Sequence, residues 1–242
     1  NVMSKVSGQK GFTLIEIAIV LVIIGLLLGG VLKGQELINT ARVRALNNTV
    51  DGITAAWFSF QDRYRGFPGD YSQAAVNLPG APANGSGNGL VGLDNAGADI
   101  AAERALVWVH LQAAGYITGS FDGGAGGAVA ANAYNCLLAT CPDNGFGFGM
   151  NLNYGNLNQT QSAAVPPVLA HELITCSGIP VEVLAELDRK VDDGLAGSGA
   201  MQLGGPGAGF TPANITACQG AAVTQYGLQT PSSNCAAVFR NF

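Results

Sequence analysis

Gly11-Phe12-Thr13-Leu14-Ile15-Glu16 is the stretch on which the reading of this chain turns. It opens an apolar run from Phe12 to Leu32 in which Thr13 and Glu16 are the only polar side chains. At about 1.5 Å per residue the run covers roughly 30 Å, the hydrocarbon thickness of a bilayer. A carboxylate inside such a segment is expensive in lipid, so Glu16 reads as a functional group in need of a partner. Ahead of it lies a short leader carrying Lys5 and Lys10.

Working outward, the helix continues well past the apolar run. Apolar residues recur at Ile38, Ala41, Ala45, Val50, Ile53, Trp57, Phe60 and Tyr64, in steps of three to five that mark one helical face. Arg42, Arg44, Asn48, Asp51, Gln61 and Arg63 fall largely on other faces. Gly66 and Pro68 stop the helix, because proline also restricts the residue before it. The expected element is one helix over residues 12–65, hydrophobic all round in its first half and amphipathic in its second. Gly25, Gly29, Gly30 and Gly34 interrupt the run, at a helix cost of about 1 kcal/mol each relative to alanine, and they permit close approach of other helices.

Lys10-Gly11-Phe12-Thr13-Leu14-Ile15-Glu16, followed by the unbroken apolar helix, resembles the class III leader of type IV prepilins and type II secretion pseudopilins. The close match covers about residues 8–34, with a weaker one reaching Pro68. The resemblance implies that residues 1–11 are a leader cut after Gly11 by a membrane-embedded prepilin peptidase, which then methylates the new amine of Phe12. It implies that Glu16 pairs with the Phe12 amine of a neighbouring subunit during assembly. Partners would be identical or related pilin subunits in a helical filament, the peptidase, an inner-membrane assembly platform and membrane lipid. The implied location is the bacterial inner membrane, single-pass through residues 12–32, and then a pilus at the cell surface or a periplasmic pseudopilus. Many relatives carry a proline near the end of the apolar run, where this chain has Lys33. A secretory signal peptide has a shorter apolar core, usually about 7–15 residues. A plain, uncleaved signal anchor explains the length but leaves Glu16 without a purpose; with it goes the alternative of a membrane-anchored periplasmic binding domain or enzyme.

Residues 66–242 form the expected head. Glycine makes up 35 of the 242 residues, against a usual ~7%. Net charge is −5 with 11% charged residues, and loss of Lys5 and Lys10 with the leader makes the mature chain more acidic. That is a poor footprint for nucleic acid, which needs clustered Lys and Arg, and no nucleic-acid partner is expected. Asp70–Asn95 and Gly119–Gly127 read as loops. Ile100–Ala114 reads as a helix with Asp99 as N-cap and Gly115 as stop. Phe146, Phe148, Met150, Leu152 and Tyr154 alternate with small or polar residues, the clearest strand signal. Pro180–Val191 reads as a short helix ending by Gly194, with weak strands at Met201–Leu203, Ala222–Leu228 and Ala236–Phe239. The fold class is therefore α+β and pilin-like: a long N-terminal helical spine with an antiparallel sheet in the head.

Five cysteines, Cys136, Cys141, Cys176, Cys218 and Cys235, lie in the part that would face the outside of the inner membrane, where disulfides persist. Which stays out, and how the others pair, is not resolved by sequence. Loop closure favours near neighbours, so the expected pairs are Cys218–Cys235 and Cys136–Cys141, with Cys176 the odd thiol. No catalytic constellation stands out and no cofactor is expected. His110 reads as structural, and His171-Glu172 lacks the second histidine of a zinc-protease pattern. Asp188, Asp192 and Asp193 are the weak candidates for a hard cation such as calcium. Their spacing matches no calcium loop, so the expectation is a solvated helix end beside Arg189 and Lys190, and no metal.

Overall fold

The computed structural model describes residues 12–80, 82–97, 100–123, 140–155, 169–204, 217–222 and 224–242. Four helices and four strands are defined among them: α1 (Leu14–Tyr64), α2 (Ala74–Asn77), α3 (Ala101–Ala113), β1 (Asn151–Gly155), β2 (Ala170–Ile174), α4 (Val181–Val191), β3 (Met201–Leu203) and β4 (Ala237–Phe239). The architecture is α+β, a long N-terminal helix followed by a small antiparallel sheet. Two compact units are separated at Ala41/Arg42, so the second half of α1 belongs to the same unit as the head.

Within the unit Arg42–Phe242, α1 supplies one wall of the core. Val43, Leu46, Val50, Ile53, Trp57 and Phe60 are buried and follow one another in alternating steps of three and four, the spacing that keeps a helical stripe on one side. Val43 and Leu46 take the stripe where the sequence pointed to Ala41 and Ala45, which are exposed. Those alanines satisfy the periodicity equally well but bring little area to bury. The helix ends at Tyr64. Arg65 turns the chain in the left-handed region at φ 56° and its N–H bonds Gln61 O.

The sheet order is β1-β2-β4-β3, antiparallel throughout. β1 and β2 pair along their whole length, Asn151 opposite Ile174 and Gly155 opposite Ala170. β2 was not legible as a strand. Its sequence, Ala170-His-Glu-Leu-Ile174, carries two ionisable residues at buried positions. Glu172 is fully buried and pairs with Arg240 at 2.8 Å, which compensates a charge that would otherwise forbid the position.

Two other expectations are corrected. The alternating stretch from Phe146 becomes a strand only at Asn151. Its first part is a turn organised by Asn144, whose Oδ1 accepts from the N–H of Phe146 and Phe148 at 2.8 and 3.3 Å. Gly145 and Gly147 sit at φ 80° and 90°, a conformation that glycine adopts without strain and a strand does not. The polar face of β1 is also buried: Asn153 accepts Arg104 Nε at 2.8 Å. Ala222–Leu228 is no strand among its described residues, only the isolated bridge Gln219–Tyr226 beside it. The helix expected at Ile100–Ala114 runs Ala101–Ala113 and closes in a Schellman turn, with Gly115 N bonding Gln112 O and Tyr116 N bonding Leu111 O. The expected cap, Asp99, lies outside the described residues.

A buried polar clasp holds the glycine-rich loop after α2. Asp70, 3% exposed, accepts four bonds: Ser86 Oγ at 3.0 Å, Gly87 N at 2.7 Å and Asn88 N at 3.0 Å on Oδ1, and Gly89 N at 2.8 Å on Oδ2. Glu103 of α3 accepts from Ser86 N and Gly92 N, each at 2.9 Å. His110, also on α3, accepts Gly69 N–H on Nδ1 at 2.9 Å, so its Nε2–H donates to Ala83 O at 2.8 Å. Burial holds the His110 pKa below the usual imidazole range, which keeps that tautomer neutral. Gly69 is pressed so close to α3 that a side chain there would meet Glu103 O and Val107.

Candidate assembly and processing site

The expected processing site, Gly11-Phe12, straddles the start of the described chain. Gly11 lies outside it, and Phe12 is 84% exposed. Thr13 is the N-cap residue of α1, and Glu16 stands at the third helical position. Glu16 Oε2 accepts from both Thr13 N and Thr13 Oγ1 at 2.8 Å, while Glu16 N lies 3.4 Å from Thr13 Oγ1. This is a capping box: Thr-x-x-Glu satisfies helix-start donors reciprocally. The signal was present in the sequence as Thr13-Leu14-Ile15-Glu16 but was hidden by the apolar context. The carboxylate therefore has a partner inside its own chain. It also stands at the positive end of the helix dipole, where a negative charge is favoured.

Beyond the box, every residue from Leu14 to Lys33 is exposed. α1 is the one helix among the described residues long and apolar enough to cross a membrane. The glycines at 25, 29, 30 and 34 have open space where a Cβ would stand, so no contact among the described residues requires them to be small. Lys33 closes the run and pairs with Glu36 at 2.6 Å across exposed surface, a contact worth little by itself.

Residues 6–32 match the family model of the prokaryotic N-terminal methylation motif, the class III leader of type IV pilins and pseudopilins. No curated protein and no solved structure matches the chain. The motif supports a type IV pilin- or pseudopilin-like precursor. Such a leader implies processing by prepilin peptidase and pilin assembly in general, and the apolar helix is consistent with inner-membrane anchoring.

The head carries the other candidate residues. Cys218 and Cys235 are joined by a disulfide that closes a loop of sequence separation 17. Cys141 is buried, and its expected partner Cys136 lies outside the described residues. Cys176 is a buried thiol whose Sγ lies 4.0 Å from Ile174 O. Asp188, Asp192 and Asp193 each bring a carboxylate oxygen within 4.8 Å of the others. Asp192 accepts from Ala200 N and Met201 N, and Asp193 accepts from Leu195 N and Ser198 Oγ.

His171 sits on β2 among aromatic rings: Phe67 at 4.4 Å, Tyr154 at 5.1 Å and Trp57 at 5.2 Å between centroids. It is 7% exposed, and its Nε2 has no hydrogen-bond partner among the described residues. Burial pushes its pKa down to about 4. The unfolded chain takes up this proton near pH 6.5 and the folded chain only near 4. The contribution is therefore intact above pH 6.5 and is lost as pH falls towards 4, by about 3 kcal/mol. His171→Phe removes a titrating group from an aromatic cluster. Urea unfolding at a series of pH values is expected to show wild type losing stability relative to His171→Phe over this window; parallel curves would show that His171 does not titrate as a buried neutral ring.

Proposed function

We propose that the chain is a structural subunit of a type IV pilus or related pseudopilus, held in the inner membrane by α1 and assembled after cleavage between Gly11 and Phe12. The observation that carries the reading is the methylation motif over residues 6–32, with a capped, fully exposed apolar helix behind it. The capping box adds a physical step. In the stored subunit Glu16 is held by Thr13 of its own chain. In the filament it exchanges this partner, or shares it, with the Phe12 amine of a neighbour, so that neither charge is left alone among apolar helices. The head then faces solvent, and the role is assembly, with no enzymatic activity. Neighbouring subunits, the prepilin peptidase, the assembly platform and lipid are the proposed partners. The domain reading that goes with it is leader 1–11, spine 12–65 and head 66–242.

Intact-mass and N-terminal analysis of the mature protein is expected to show Phe12 first, carrying one methyl group on its amine. An uncut leader in peptidase-positive cells would favour a signal anchor, and a start near Gly30 would favour a signal peptide.

A further inference from the structure

Three asparagines of the head are followed by glycine: Asn84, Asn88 and Asn144. Such a pair can modify itself. The glycine nitrogen attacks the asparagine Cγ, and with no side chain on the glycine nothing shields that nitrogen. The N–Cγ bond forms and the Cγ–Nδ2 bond breaks. Ammonia leaves with the amide proton, and a cyclic imide remains. Water then opens the imide to aspartate or to isoaspartate, whose backbone is longer by a methylene. The step needs a glycine N–H that can lose its proton and an asparagine side chain free to swing onto it.

The fold treats the three pairs differently. Asn144 is buried, and its amide nitrogen donates to Thr175 O and Ser177 O at 2.7 and 3.0 Å. Gly145 N–H is held by Asp143 Oδ1 at 2.8 Å. After Asn84, Gly85 donates to Tyr71 O at 3.0 Å and is pressed against the backbone of Gly69 and Asp70, which leaves no room for a ring on its nitrogen. Asn88 is only half-buried, and Gly89 has open space where a side chain would stand. Hydrogen bonds alone restrain this pair. Gly89 N–H donates to Asp70 Oδ2 at 2.8 Å, and Asn88 N–H to Asp70 Oδ1 at 3.0 Å. Asn88 Oδ1 accepts Leu90 N–H and its Nδ2 donates to Leu93 O, both at 2.7 Å. A carboxylate is too weak a base to take an amide proton, so Asp70 occupies the Gly89 N–H without removing it.

We propose that Asn88 is a latent self-modification site guarded by Asp70: it stays an amide while the loop is held on the carboxylate, and converts to aspartate and isoaspartate when the loop leaves it. Reclosure does not undo the change. The product places a new negative charge on the residue whose N–H bonds buried Asp70. It also puts an oxygen where Nδ2 donated to Leu93 O, so two acceptors face each other. Isoaspartate further shifts the spacing of the N–H groups at 88 and 89 that converge on Asp70. A loop that has stayed open long enough to react is therefore kept open, and the subunit carries a covalent record of the opening.

The test incubates the full chain in detergent micelles at mildly alkaline pH, folded and in urea, as wild type and as Asp70→Ala. Peptide mapping by mass spectrometry then reads amide-to-acid conversion at Asn84, Asn88 and Asn144. The rate at Asn88 follows the population of the opened loop. In folded wild type it is expected to lie at least about tenfold below its rate in urea. In Asp70→Ala it is expected to rise at least about tenfold over folded wild type, with Asn144 still slow. Folded wild type converting Asn88 at the urea rate, or Asp70→Ala leaving the folded rate unchanged, would overturn the guard. Slower conversion in Asp70→Ala would make the carboxylate a base for the reaction and overturn it as well. Should Asp70→Ala unfold the head, seen as Asn144 reaching its urea rate, Asp70→Asn takes its place under the same criteria.

Discussion

Glu16→Ala is expected to insert in the membrane normally and to disappear from filaments. Removing a charge from the span eases insertion, by less than an acid at the span's centre would, because Glu16 stands in the first turn of α1. Residues Arg42–Phe242, the head with the second half of α1, form a separate compact unit and should keep their fold. What is lost comes in two parts. The first is the capping box, whose bonds from Glu16 to Thr13 hold the start of α1. The second is the pairing with a neighbour's Phe12 amine, where breaking one side of a buried pair costs about 3–5 kcal/mol because the survivor is uncompensated. Glu16→Gln separates them. Glutamine serves in a capping box but carries no charge, so it should keep the helix start and still fail in assembly. Sheared surface material is compared with membranes for wild type and both variants. Filaments containing Glu16→Gln at wild-type levels would reduce Glu16 to a helix cap and remove the charge-pairing role.

Asp70→Ala is expected to cause a large stability loss in the head. Four donors converge on this carboxylate, three of them backbone N–H groups of a loop with no secondary structure of its own. Hydrogen bonds to a charged group are worth about 1.5–3 kcal/mol each. They are not additive, and a loop that opens regains water, so the expected total is about 3–5 kcal/mol. Asp70→Asn keeps one carbonyl acceptor and should fall between alanine and wild type. Urea unfolding of the full chain in micelles gives the loss. Hydrogen exchange at Gly87, Asn88 and Gly89 should accelerate in the same order. A loss below about 1 kcal/mol for Asp70→Ala would mean that Glu103 and the neighbouring packing hold the loop without it.

α1 could be read from the chain because every term that defines it is local. An apolar run of bilayer length, a three-four stripe after it and Gly66 with Pro68 beyond Tyr64 all act within a few turns of one another. Even the capping box is confined to Thr13–Glu16, a Thr-x-x-Glu spacing set in an apolar run. The helices at α3 and α4 were legible for the same reason. The sheet was legible only in part. Phe146–Met150 alternates as a strand does, yet Asn144 and two left-handed glycines make it a turn, since a side-chain acceptor satisfies the N–H groups that a neighbouring strand would have taken. β2 was invisible because His171 and Glu172 look like surface residues until Arg240 and the rings of Trp57, Phe67 and Tyr154 are brought to them. The loop held by Asp70 was decided in the same way, whereas the Cys218–Cys235 bridge was already expected from the short loop it closes. A buried polar group is acceptable only when its partner arrives, and when that partner lies tens of residues away the tertiary structure alone determines which one it is.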